Sequence, residues 1–308
     1  MKQITRKKQS EPITAEVLQR YINFLDCKPR TVETYTTNLK QFYSWMKQNG
    51  ITEPSRADVL EYRDGLLEKY KASTVQGYMT AVKLFFRWTD QENLYPNIAD
   101  HIKGARISRE HKKDYLTGTQ TQNLLTSIER NTKQGKRDYA IVLLMIAGGL
   151  RDIEVSRANV SDLTTKGNET VLYLQGKGRD EREDYIKVIP EAETALREYL
   201  ALRGKLNGTE PLFTSESNNS KGERLSPRSI SQLVKSRLVA AGFNSERLTA
   251  HSLRHTAVTL ALLGGLPLDE VQQFARHRNI ATTQIYAHNL ERSRNRSEST
   301  IRNMIFND

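Results

Sequence analysis

One cysteine, Cys27, stands among 308 residues. A lone thiol excludes an internal disulfide framework, a cysteine-held zinc ribbon and an iron–sulfur cluster, and it suits a reducing compartment. Long apolar runs are absent as well. No stretch approaches the roughly 20 residues that a membrane helix requires, and the basic N-terminal segment MKQITRKKQSEP lacks the apolar region of a signal peptide. A cytoplasmic protein without membrane contact is expected. Nucleotide-binding signatures are also missing: the GKG at 176–178 is not part of GxxxxGK[ST], and no GxGxxG opens a helix. His251 and His255 have the i, i+4 spacing of two zinc ligands, but Ser252 stands where HExxH needs glutamate. Neither a nucleotide nor a metal cofactor is expected.

Basic charge is what the chain has in excess. Lys and Arg number 47 against 36 Asp and Glu, a net charge of +11 at pH 7. Residues 1–113 hold 20 basic and 13 acidic residues, and 114–308 hold 27 and 23, so the first third is the more basic per residue. A polyanionic partner, double-stranded DNA above all, fits this balance. The segment 96–115 has little apolar period and carries Lys103, Arg106, Arg109, Lys112 and Lys113. It reads either as a solvated connector or as a basic strap crossing a phosphate backbone between two domains.

Apolar periodicity predicts a mainly α fold of α+β type, with helices in both halves and a small antiparallel sheet. Behind a basic tail, 1–13, the region 14–95 holds four helices: one through Val17, Leu18, Tyr21, Ile22 and Leu25, a second from near Thr31 to Gly50, a third opened by the capping pair Ser55 and Asp58, and a fourth after Ser73. Their aromatic stripe is expected in the core. From 116 onward, helices are expected near 119–130, 137–147, 191–202, 226–241, 250–263 and 267–275. VLYLQ at 171–175 and DYIKVIP at 184–190 flank a polar tip and predict a hairpin.

A set of side chains in the second half suits an anionic substrate. His251 and Arg254 lie three apart on a predicted helix, so an imidazole and a guanidinium share a face. Arg151 follows the two-glycine end of a buried helix, with Glu154 one turn on to hold it. His277 follows a short helix, and Tyr286 comes nine residues later.

In order and spacing, GGLRDIEVSR, LQGKGRDERE, HSLRHTAVTLALLGG and ARHRNIATTQIYAH resemble the successive motifs of the tyrosine recombinase (phage integrase) family. Residues 14–95, with TVETYTTNLKQFYSWM, resemble its helical, SAM-like core-binding domain, and 116–290 its catalytic domain. The resemblance assigns Arg151, Lys177, His251, Arg254 and His277 to the catalytic pocket, Glu154 to their support, and Tyr286 to nucleophilic attack that leaves a 3′-phosphotyrosine. It implies strand exchange by a homotetramer on two DNA duplexes, in some members with an accessory directionality factor, and no ATP or metal. It also implies that the tail 291–308, with Ile301, Met304, Ile305 and Phe306 on or near one face, docks on a neighbouring protomer.

Within the family, the absence of an added arm-binding module before residue 14 resembles compact integrases and Xer-type recombinases. A mobile-element integrase is the favoured expectation, with Xer-type dimer resolution the alternative. A helical DNA-binding regulator would satisfy charge and compartment without needing Tyr286, and a type IB topoisomerase-like enzyme would use the same chemistry as a monomer. Two positions depart from the family pattern. Gly148 stands where threonine or alanine is frequent, and Arg276 replaces the glycine that usually precedes His277. Arg276 reads as an added phosphate contact or as a group crowding the pocket. The acidic Asp180, Glu181, Glu183 and Asp184 are unexpected in a DNA-facing hairpin.

Overall fold

The computed structural model describes residues 12–106, 114–176, 181–294 and 297–306. The chain divides into two compact units, 1–109 and 110–308. Among the described residues no helix is long and apolar enough to cross a membrane.

The first unit is built from α1 (Ala15–Phe24), α2 (Pro29–Gln48), α3 (Arg56–Lys69) and α4 (Ala72–Gln91). Local chemistry starts these helices. Thr14 Oγ1 accepts from Val17 N at the head of α1, and Ser55 and Asp58 close a reciprocal capping box on α3. The aromatic stripe lies inside: Phe42, Tyr62, Phe85, Phe86 and Trp88 are buried, and Phe42 meets Tyr62 edge-on at 4.9 Å. Each such ring contributes about 1.5–3 kcal/mol through burial. Tyr95, Ala99 and Ile102 are buried in the same core, so the chain stays packed on this unit beyond residue 95. Lys103 and Arg106 follow, both exposed. Arg109, Lys112 and Lys113 lie outside the described residues.

The second unit runs α5 (Gly118–Thr126), α6 (Lys133–Ala147), α7 (Asp152–Arg157), β1 (Leu163–Lys166), β2 (Glu169–Leu174), β3 (Asp184–Lys187), α8 (Pro190–Ala201), α9 (Pro227–Ala240), α10 (Ala250–Leu263), α11 (Leu268–Ala275), α12 (Ile280–Arg294) and α13 (Ser297–Phe306). α6 is buried along most of its length. Its buried Asp138 bridges Arg137 and the part-exposed Arg237, tying it to α9. The expected hairpin forms, with Leu172 opposite Ile186. β1 adds a third antiparallel strand in the order β1-β2-β3. Of its residues only Leu163 turns partly inward, which leaves no apolar alternation to announce it. α12 also goes unannounced, because IATTQI is rich in β-branched residues of modest helix propensity. In α13, Ile301, Met304, Ile305 and Phe306 are all more than half exposed.

Candidate active site

α6 ends at Gly148, and the next residue turns the chain with φ +57°, a left-handed conformation that glycine adopts without strain. A β-carbon on Gly148 would fall 2.4 Å from Ile186 Cδ1 and 2.6 Å from Leu150 Cδ1. Those two side chains fill the space that a larger residue would need at position 148. The turn delivers Arg151 as the N-cap of α7. Arg151 N donates to Glu154 Oε2 and Arg151 Nη1 to Glu154 Oε1, both at 2.8 Å.

Glu154 is 1% exposed and holds two guanidiniums, since Arg276 Nη2 donates to its Oε2 at 3.0 Å. Burial alone would push its pKa up. Arg276, the backbone N–H of Arg151 and the guanidiniums of Arg151 and Arg254 more than reverse this and hold the carboxyl below its ordinary value. Arg276 is the left-handed C-cap of α11, with φ 52° and ψ 44°, the conformation a glycine would adopt freely. Its guanidinium also donates to the carbonyls of Phe274, at 2.9 Å, Gly149, at 3.0 Å, and Gly148, at 3.3 Å. It lines the cleft, and both of its terminal nitrogens bond acceptors of the protein.

α10 supplies the opposite wall. Arg254 is 1% exposed and is fixed by the carbonyls of Gly149, at 2.5 Å, and Ala275. Burial first, then Arg151 and Arg276, push its pKa down to about 9, with Glu154 and Tyr286 opposing, so it remains a cation at neutral pH. His251, one turn earlier, is exposed on the same face. His277 follows Arg276, and its Nδ1 is hydrogen-bonded to Thr283 Oγ1 at 2.9 Å. Burial and the surrounding cations, Arg254 foremost, push its pKa down to about 4 and keep the ring neutral.

Tyr286, on α12, is 6% exposed and packs among Val258, Val271 and Ala275. Its hydroxyl is joined by a hydrogen bond to Nδ1 of His255, and its ring stacks on that of His277 at 6.1 Å. Burial pushes the phenol up to about 12 against the pull of Arg254 and Arg151. Arg151, Glu154, His251, Arg254, Arg276, His277 and Tyr286 thus line one cleft of about 440 Å³. Lys177 lies outside the described residues; Gly176, its neighbour in sequence, borders the cleft. Among the described residues no three His, Cys, Asp or Glu side chains gather as metal ligands would.

His255 is the residue that sequence reasoning passed over. In the sequence its i, i+4 relation to His251 is visible only as the spacing of a zinc motif. The arrangement suits an anion: three guanidiniums against one carboxylate, with imidazoles and a buried phenol beside them. The chemistry of such a pocket is suited to a phosphodiester, whose nonbridging oxygens gather charge during displacement.

The phage integrase family matches residues 114–292, and the N-terminal SAM-like domain of phage integrases matches 15–95. The tyrosine recombinase XerC of Thermodesulfovibrio yellowstonii is 28% identical over 266 residues, covering 84% of this chain and 85% of XerC. Among solved structures, XerH recombinase bound to palindromic difH substrate, in a post-cleavage complex, superposes with a TM-score of 0.71 at 23% identity, over 90% of this chain and 82% of XerH. The Tn1549 transposon integrase in complex with transposon right-end DNA gives 0.67 at 17% identity, over 88% and 93%. These two likenesses carry the fold, and the family match covers most of the chain. The chain belongs to the phage integrase family, the tyrosine-type site-specific DNA recombinases.

Proposed function

We propose that Tyr286 Oη attacks a DNA phosphorus, releases a 5′-hydroxyl and holds the cut strand as a 3′-phosphotyrosine. The observation that carries this reading is that the Tyr286 side chain borders the same cleft as Arg151, Arg254, His251 and His277. The two arginines grip the nonbridging oxygens in place of a metal ion, and His251 and His277 add donors. Glu154 orients Arg151. Lys177, which follows Gly176 in the sequence, protonates the leaving 5′-oxygen. Because the phosphotyrosine bond keeps the free energy of the broken phosphodiester, a 5′-hydroxyl from another strand reverses the attack. Neither ATP nor metal is needed.

The partner is double-stranded DNA, with Lys103, Arg106, Arg109, Lys112 and Lys113 contacting backbone phosphates and making binding fall steeply with salt. Exchange takes place in a homotetramer on two duplexes, with the exposed apolar face of α13 offered to a neighbouring protomer, and it occurs in the cytoplasm. Integration or excision of a mobile element is the favoured role, with a directionality factor setting the outcome. Xer-type dimer resolution is the second reading, favoured by the XerC name of the curated relative and its similar length.

A covalent trap tests the chemistry. The protein is incubated with randomised nicked duplexes without metal or nucleotide, denatured, and assayed for attached DNA. Adduct at the 3′ side of the break, absent from Tyr286→Phe, is expected, and the enriched sequence supplies the core site. DNA retarded in a gel without adduct would favour a non-catalytic binder.

A further inference from the structure

We propose that His255 is the general base of strand cleavage, its Nδ1 taking the phenolic proton as Tyr286 Oη attacks. This rests on the phosphotyrosine reading above and adds a residue which that reading does not use. Three observations on α10 and α12 carry it. His255 is 4% exposed and Tyr286 6%, so their hydrogen bond is shielded from water. The two rings lie 5.1 Å apart with planes tilted by 35°, which aims a ring nitrogen at the hydroxyl rather than stacking a face upon it. His255 also follows Arg254 directly and sits one turn after His251, whose ring meets it edge-on at 4.6 Å. The base is therefore built on the helix that carries the phosphate-binding cation.

His277 and Glu154 are engaged elsewhere. His277 bonds Thr283 through Nδ1 and presents its ring nearly parallel to Tyr286, at 20°. Glu154 is occupied by two guanidiniums. A base is required, because a phenol pushed up to about 12 is ionised in only about one molecule in 10⁵ at pH 7. The step balances without a co-reactant. The Oη–H bond breaks as Nδ1–H forms, the Oη–P bond forms as P–O5′ breaks, and the leaving oxygen takes its proton from a different group. On resealing, the Nδ1 proton returns to the departing phenolate. In the resting protein this requires His255 as the tautomer protonated at Nε2, with Nδ1 accepting from the hydroxyl.

The experiment uses the full chain and the nicked duplex enriched by covalent trapping, in single-turnover adduct formation. His255→Gln keeps a hydrogen-bond acceptor near Oη but cannot take the proton. Its rate is expected to fall at least about 100-fold, the range of a positioned base, with DNA affinity unchanged. A substrate with a 5′-bridging sulfur, whose thiolate leaves without an acid, is expected to show the same deficit. Equal rates for the two proteins overturn the proposal. A deficit that the bridging sulfur abolishes overturns it too, by making His255 the leaving-group acid. Absence of adduct from the wild-type protein sinks the phosphotyrosine reading itself and this proposal with it, whereas adduct from wild type and not from Tyr286→Phe isolates the His255 question. A DNA-free measurement guards against a misfolded variant. Nitrogen-15 spectra of the six histidines are expected to show one imidazole protonated at Nε2 whose Nδ1 signal moves in Tyr286→Phe; a proton on Nδ1 of that ring overturns the proposal.

Discussion

Replacing Arg276 by glycine restores the residue usual at this position and asks what the arginine does. The structure sets opposing contributions. Lost are a charge-assisted hydrogen bond to buried Glu154, of about 1.5–3 kcal/mol, and three bonds to carbonyls at about 0.5–1.5 kcal/mol each. Relieved are the left-handed backbone of a non-glycine residue, roughly 1–2 kcal/mol, and the burial of Arg276 Nε without a hydrogen-bond partner, about 1–3 kcal/mol. The balance is a net loss of about 2 kcal/mol. For a domain of about 200 residues that lowers the melting temperature of the C-terminal unit by roughly 4–8 °C. Calorimetry of wild type and Arg276→Gly measures this, with DNA affinity followed in parallel and expected to change little. Unchanged melting with a marked loss of DNA affinity would refute the reasoning, because the guanidinium would then serve a phosphate and not Glu154.

Other consequences follow from the same geometry. Glu154→Gln removes the buried charge that pairs with the part-buried guanidiniums of Arg151 and Arg276 and is expected to cost about 3–5 kcal/mol at neutral pH. Because the folded carboxyl titrates below its ordinary value of about 4.3, this stabilisation is complete above that pH and is lost as pH falls through the depressed folded value. The urea-midpoint difference between the two proteins is therefore flat through neutrality and shrinks in acid; growth on acidification contradicts the pairing. Gly148→Ala drives a methyl into Ile186 and Leu150 and is expected to cost about 1–3 kcal/mol. Adding Ile186→Val removes the closest atom, so a double-mutant cycle by chemical denaturation is expected to recover part of that loss. Deleting residues 299–308 removes the exposed Ile301, Met304, Ile305 and Phe306 and is expected to impair two-site recombination more than binding of a single site; equal losses of both would make α13 a folding element.

What the sequence determined by itself is local. Helical periodicity placed Val17, Tyr21, Phe42 and Phe86 in a core, and Ser55 with Asp58 started α3, because a helix cap and an amphipathic stripe depend on neighbours within one or two turns. Spacing on one helix put His251 and Arg254 on a common face, and the order of the motifs marked the family. Tertiary structure decided what depends on partners far along the chain. β1 pairs with β2 although its own residues carry no alternation, and α12 forms by packing Tyr286 into a small core despite its β-branched start. Glu154 reaches Arg276 across 122 positions, and His255 meets Tyr286 across 31. Where Arg276 points depends on a left-handed cap and a buried carboxylate, and which imidazole faces the phenol depends on how α10 and α12 cross. Neither is written in residue type or spacing, since both are set by the packing of elements that only the folded chain brings together.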